Sequence, residues 1–487
     1  MNARVLAVLV SIAAGVWMPA SADWLRRADP HAATLARTPD PRSAIRDPRS
    51  PIRDPRSPIR DPQPRISRIP IPAARHDADR TAWLVEQLAT APAGSTIEVP
   101  AGIYRGPFTI DRPLRLHASG GAQLIGDGTT HTVAVRAADV TIDGFTISNS
   151  GLDLGRDHAA IHVTGAHAVI VNNRIERSLH GVYVRQADGA RIEGNTILGT
   201  QRVMQPIDPF TSSATPSEGE LCEVDLNQNQ RGNGIHIWNS ARHVVARNTI
   251  RDTRDGVYFS FVDRSEVRDN DIEGVRYGLH YMYSDENHFE GNVFRDNAAG
   301  AALMNSKDIV MVRNRFLANQ SHRSYGVLLQ TVDGTTLSEN EIAGNTVGVF
   351  FESGHENRLI GNRIVRNHIG IHASDSSDGN EFVDNQFIGN LHTVETTGGN
   401  LTSRWSRDGR GNYWDAAIML DLDRDGVADL PHRELDVFGT LRRDFPAIGL
   451  LAGSPGERLL RFVHARIALP GLPGVVDAAP LMQPSRP

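Results

Sequence analysis

The sequence predicts an all-β chain wound as a right-handed parallel β-helix: a solenoid of about 22 residues per coil, with a short N-terminal helical cap and an irregular C-terminal region. Three observations predict it. Asn-x-Ile/Phe units begin at Asn173, Asn195, Asn248, Asn270, Asn292, Asn314, Asn340, Asn362 and Asn385, most of them 22 residues apart. Glycines that open apolar strands keep the same beat at Gly181, Gly234, Gly256, Gly278, Gly300, Gly326, Gly348 and Gly370. Between these marks the residues alternate, as in Val182-Tyr183-Val184 and Ile235-His236-Ile237, which is the pattern of a strand with one face inward.

A repeat of this length is too short for helical hairpins, which need roughly 33 residues or more, but suits one β coil. Leucine-rich repeats share the length, yet would place leucine at several fixed positions where this chain has Val, Ile, Phe and Tyr. Asparagines recurring at one bend can hydrogen-bond backbone and tolerate left-handed conformations, so they are expected to stack as a structural ladder along the axis.

Taken in chain order, Arg4, the apolar run Val5 to Val16 and the small residues Ala20-Ser21-Ala22 match a three-part secretory signal, placed at 1–22. Residues 23–75 are rich in Pro and Arg and carry three near-copies of a seven-residue unit, Arg42 to Pro48, Arg49 to Pro55 and Arg56 to Pro62. That composition lacks core-forming faces and reads as a disordered tether. Asp47, Asp54 and Asp61 interrupt its charge, which argues against a nucleic-acid arm. Asp79 to Leu88 reads as an amphipathic helix ahead of the strand Ser95 to Val99, a pairing suited to cover the open end of a β stack. The β-helix domain is placed at 76–450, interrupted by an insertion at 199–231 that holds Met204 and Cys222, and followed by a tail at 451–487.

The whole-chain balance of 57 acidic against 51 basic residues gives no field that would recruit nucleic acid or an anionic membrane. Cys222 is the single cysteine, so no internal disulfide staples an exported chain. Lys307 is the only lysine.

Because the period fixes the register, residues 22 apart should stack about 4.8 Å apart. Two places after the marking glycine the column reads Tyr183, His236, Tyr258, His280, Ala302, Leu328, Phe350 and His372. Four places after it come Arg185, Trp238, Ser260, Met282, Met304, Gln330, Glu352 and Ser374. Both columns should face outward, bringing His280, Met282 and Met304 together. Two thioethers and an imidazole form a soft donor set suited to Cu(I) rather than to calcium or magnesium. Tyr258, Tyr281 and Tyr283 are candidates to line it. The competing account treats the methionines as gap fillers and the histidine as hydrogen-bonded. His236 and His372 are second-tier donors, and His158, His162, His167 and His180 form a separate cluster by sequence. Asp421, Asp423, Asp425 and Asp429 alternate around Gly426 like a calcium loop without its closing glutamate, a candidate structural calcium site.

Gly278-Leu279-His280-Tyr281-Met282-Tyr283-Ser284, followed one coil later by Gly300-Ala301-Ala302-Leu303-Met304-Asn305-Ser306, resembles the central signature of NosD-type proteins. Gly411-Asn412-Tyr413-Trp414 ahead of the acidic loop does the same, and the similarity spans roughly residues 76 to 450. Asn305 stands where that pattern has tyrosine, which leaves the sulfur donors intact. The resemblance implies a periplasmic protein, not an enzyme. It would dock on an ABC transporter permease/ATPase complex, take copper from a lipoprotein chaperone and deliver it to nitrous oxide reductase during assembly of its copper centre. It also implies copper contact by His280, Met282 and Met304. The rival class is a carbohydrate-active β-helix enzyme, a polysaccharide lyase or uronan epimerase, which would need paired acid and base groups. The pairs available, Asp252 with Asp255 and Glu352 with Glu356, fall at or near bends, and the repeats carry no Asp-Pro-His motif of the uronan epimerase type, the tripeptide Asp29-Pro30-His31 lying in the Pro/Arg-rich tether.

Overall fold

Strand alternation closes the chain into three parallel sheets of 12, 13 and 12 strands, each coil contributing one strand to each sheet in turn. The computed structural model describes residues 76–484 apart from 207–220, 322–323, 375, 398–401, 416, 418–419, 436–444, 452–453, 457–458 and 460–473. The expected secretory signal at 1–22 and the expected tether at 23–75 lie outside the described residues. The chain divides at residue 63, and every described residue belongs to the part that follows it.

Inward positions fill the solenoid with Val, Ile, Leu and Phe, among them Phe259, Phe289, Phe294 and Phe316, all fully buried. Phe294 stacks on Phe316 with centroids 5.1 Å apart, so the one-coil rise is also an aromatic stacking distance. The marking glycines permit this rise on the third sheet. A Cβ on Gly278 would lie 2.5 Å from the Gly300 carbonyl oxygen, leaving no room for a side chain.

The asparagines form the expected ladder. From Asn173 through Asn412 each side-chain amide donates to the Oδ1 of the next at 2.8–3.1 Å, and all are buried. The left-handed bend falls one residue earlier, at Asn172, Gly194, Arg247, Asp269, Gly291 and their successors, because the ladder amide must point inward to reach its partners.

Both ends of the stack are covered. The helix Asp77–Thr90 buries Leu84 and Leu88 over the first coils. Its sequence-read core, Asp79 to Leu88, lies inside these bounds, and the strand Ser95–Val99 falls where expected. At the far end Trp405 and Trp414 stack on Phe382 and Phe387 at 4.0 and 4.4 Å. Gly474–Asp477, in the stretch with no legible period, pairs antiparallel with His432–Leu435. Its buried Asp477 accepts from the Asn412 backbone N–H at 2.7 Å, the Asn412 amide at 3.2 Å and Trp414 Nε1 at 2.8 Å, terminating the ladder. The insertion at 199–231 emerges as an antiparallel hairpin of Arg202–Pro206 and Leu221–Asp225. It leaves the solenoid at the corner between the second and third sheets; the side chains of Met204 and Cys222 lie outside the described residues.

Candidate functional site

The outward face of the third sheet gathers the chemistry. In the strands Asp255–Asp263, Tyr277–Met282 and Ala299–Lys307, alternation sends Leu279, Tyr281 and Leu303 into the core and leaves His280, Met282 and Met304 outward and half-buried. Register pairs Met282 directly with Met304, Tyr258 with His280 and Ser260 with Met282. The Tyr258 hydroxyl donates to the Met282 sulfur at 3.9 Å. The structure therefore brings all three sequence-predicted donors onto one patch.

The tyrosines divide. Tyr258 lines the patch, its phenol pushed up by burial and by the nearby Asp255 charge. Tyr283 is exposed and stacks on Phe261 at 5.2 Å. Tyr281 does not line the site. It is wholly buried, donates to the Ser284 carbonyl at 2.6 Å and accepts from the Asn287 amide at 2.6 Å, because a residue between two outward positions must face inward.

His280 is held by Asp255 and Arg276, contacts that sequence reasoning did not make. Its Nδ1 lies 2.9 Å from Asp255 Oδ2, and Asp255 is completely buried. Arg276 grips that carboxylate with both arms at 2.8 and 2.7 Å. Rings of Tyr258 and Tyr277 meet the imidazole edge-on at 4.6 and 5.0 Å. Asp255 occupies the position just before a marking glycine, in register with Tyr277 one coil on.

Towards the N-terminus the column continues as a file of rings. His131 stacks on His162 at 4.1 Å, Tyr183 meets His236 at 4.5 Å, and His236 meets Tyr258 at 4.4 Å. His158 and His180 are buried beside it, and burial lowers His131 to about 4 and His162 and His180 to about 3. The rings of His131, His162 and His180 are thereby neutral and packed. His180 Nδ1 accepts from the Asn233 backbone N–H at 2.9 Å, so its proton sits on Nε2. His167 stands apart, exposed and 3.3 Å from Asp139. His372 is at the other end of the face, against Phe350 at 4.7 Å.

In the acidic loop the carboxylates of Asp421, Asp423 and Asp425 all lie within 4.8 Å of one another. Asp429 turns to the Leu422 backbone N–H at 2.6 Å and closes the loop. Of the acid pairs an enzyme might use, Asp255 is fully committed to Arg276 and His280, and Asp252 and Glu356 occupy left-handed bends.

Residues 217–417 match the family described as periplasmic copper-binding protein (NosD). A probable ABC transporter binding protein NosD of Stutzerimonas stutzeri is 31% identical over 402 residues, 79% of this chain and 86% of the relative. The chain belongs to the NosD family. A relative of the same name from Pseudomonas aeruginosa is 32% identical over 399 residues, 79% of this chain and 87% of its own length. Among solved structures, an alginate lyase in complex with a trisaccharide is similar at 13% identity with a TM-score of 0.46, covering 66% of this chain and 86% of its own. The matched NosD segment contains His280, Met282, Met304 and Asp255, whereas His131, His158, His162, His180 and the acidic loop fall outside it. Among the described residues no helix is long and apolar enough to cross a membrane.

Proposed function

We propose that this NosD family protein carries Cu(I) in the periplasm as a transient cargo, held by His280, Met282 and Met304. Docked on an ABC transporter complex, it would take the ion from a lipoprotein chaperone and pass it on for assembly of the copper centre of nitrous oxide reductase. The observation that carries the reading is the direct pairing of Met282 with Met304 beside the outward imidazole of His280. Thioether and imidazole are neutral, soft donors that favour Cu(I) over hard cations. Three donors on an open sheet face leave a coordination position through which a partner's ligand can enter, which suits transfer rather than storage. The relatives' names, as binding proteins of a transporter, support a carrier rather than an enzyme. The acidic loop is proposed separately as a structural calcium site near the C-terminal cap, on the strength of three mutually close oxygen donors.

Anaerobic titration of the mature protein with Cu(I) against a competing chelator tests the cargo reading. The wild type should bind a single ion, and Met282→Ala and Met304→Ala should each weaken it by about tenfold or more, as loss of a ligand requires. Equal affinity in all three proteins would remove these ligands.

A further inference from the structure

Asp255 is a wholly buried carboxylate beneath the third-sheet face. Burial disfavours a lone charge, but Arg276 meets both carboxylate oxygens at 2.8 and 2.7 Å, and such an ion pair keeps a buried carboxylate ionised. An ionised carboxylate only accepts hydrogen bonds, and a guanidinium only donates them. His280 Nδ1 faces both groups: Asp255 Oδ2 at 2.9 Å and Arg276 Nη2 at 3.5 Å. The shorter contact decides, so Nδ1 carries the hydrogen and donates it to Asp255. The lone pair of a neutral ring is then on Nε2.

We propose that Asp255 is the positioning residue of the copper site, fixing His280 in the tautomer whose Nε2 is free to bind on the face shared with Met282 and Met304. The proposal rests on the cargo reading above. Which nitrogen of an imidazole binds a metal is set by the hydrogen bond that the other one makes, and a carboxylate behind the ring also fixes its orientation. Arg276 saturates the carboxylate and keeps it from turning away, while Tyr258 and Tyr277 bracket the ring. The ligand is thus set before the ion arrives, and binding at Met282 would displace the weak Tyr258 hydroxyl contact to its sulfur. In Asp255→Asn the amide nitrogen can donate to Nδ1, which favours the opposite tautomer and leaves Nε2 protonated.

Two measurements on the full mature chain test this. Long-range proton–nitrogen correlation spectra of the copper-free protein with labelled histidine, assigned with His280→Gln, read the tautomer directly. Competition titration reads Cu(I) affinity. His280 should be protonated on Nδ1 in the wild type and on Nε2 in Asp255→Asn. Cu(I) affinity should fall about 10- to 100-fold in that variant. Asp255→Glu should restore both. A wild type that binds Cu(I) with His280 protonated on Nε2 overturns the proposal without any variant, should Asp255→Asn fail to fold. So does an Asp255→Asn protein that folds with unchanged affinity. A wild type that binds no Cu(I) removes the cargo reading, and this one with it.

Discussion

Asn340 illustrates how much one buried side chain does in this fold. Its Oδ1 accepts from the Asn314 backbone at 2.8 Å and the Asn314 amide at 3.1 Å, and its Nδ2 donates to the Met311 carbonyl and to Asn362, both at 2.9 Å. Asn340→Ala strands these buried groups, each costing about 1–3 kcal/mol, so thermal unfolding should show one of the largest losses of any single truncation in the chain. Histidine burial makes a different prediction. His162 stays neutral in the fold down to about 3, against 6.5 for an ordinary imidazole. Its folded pKa is depressed, so the unfolded chain binds the extra proton first, and stability falls as pH drops through the window from about 6.5 to about 3. His162→Phe keeps the stack on His131 but cannot titrate. The slope of unfolding temperature against pH should flatten in that variant relative to wild type, and an unaltered slope would show that His162 is not charged on unfolding.

At the scale of elements, the C-terminal strand has the clearest consequence. Asp477 supplies the acceptor that the last ladder residue and Trp414 require, in a segment whose sequence has no period to announce it. Ending the chain at Pro473 should lower the unfolding temperature and expose the edge of the last coil, so light scattering should report self-association absent from the full chain. The same contrast explains what could be read beforehand. Coils were legible because Asn and Gly are each required once per turn by a local rule: an amide that bridges coils, and a Cβ that would strike the next carbonyl. Met282 and Met304 were legible for the same reason, as strand register follows from the period. Tyr281 was misplaced where a motif was read as a block rather than as alternating faces. Asp255 was passed over as a partner of His280 because the groups it meets, Arg276 and His280, lie 21 and 25 residues on, to either side of the 22-residue column that spacing exposes.

The described solenoid behaves as a stack in which each coil touches only its neighbours, so distance along the axis is counted in coils. That makes the proposed copper site a test of the solenoid itself. A copy of residues 340–361 inserted before Asn292 adds one coil in phase, since Asn340 and Asn292 begin equivalent units, and places a glutamate between Met282 and Met304 at the position of Glu352. The two sulfurs would then stand roughly 10 Å apart, beyond the reach of one ion. The same copy inserted before Asn362 lengthens the stack without touching the site. Both proteins should fold, with the added coil visible as increased β circular dichroism, but only the second should keep wild-type Cu(I) affinity. Retention of affinity by the first would mean that adjacency of the two methionines across one strand pair is not what holds the ion.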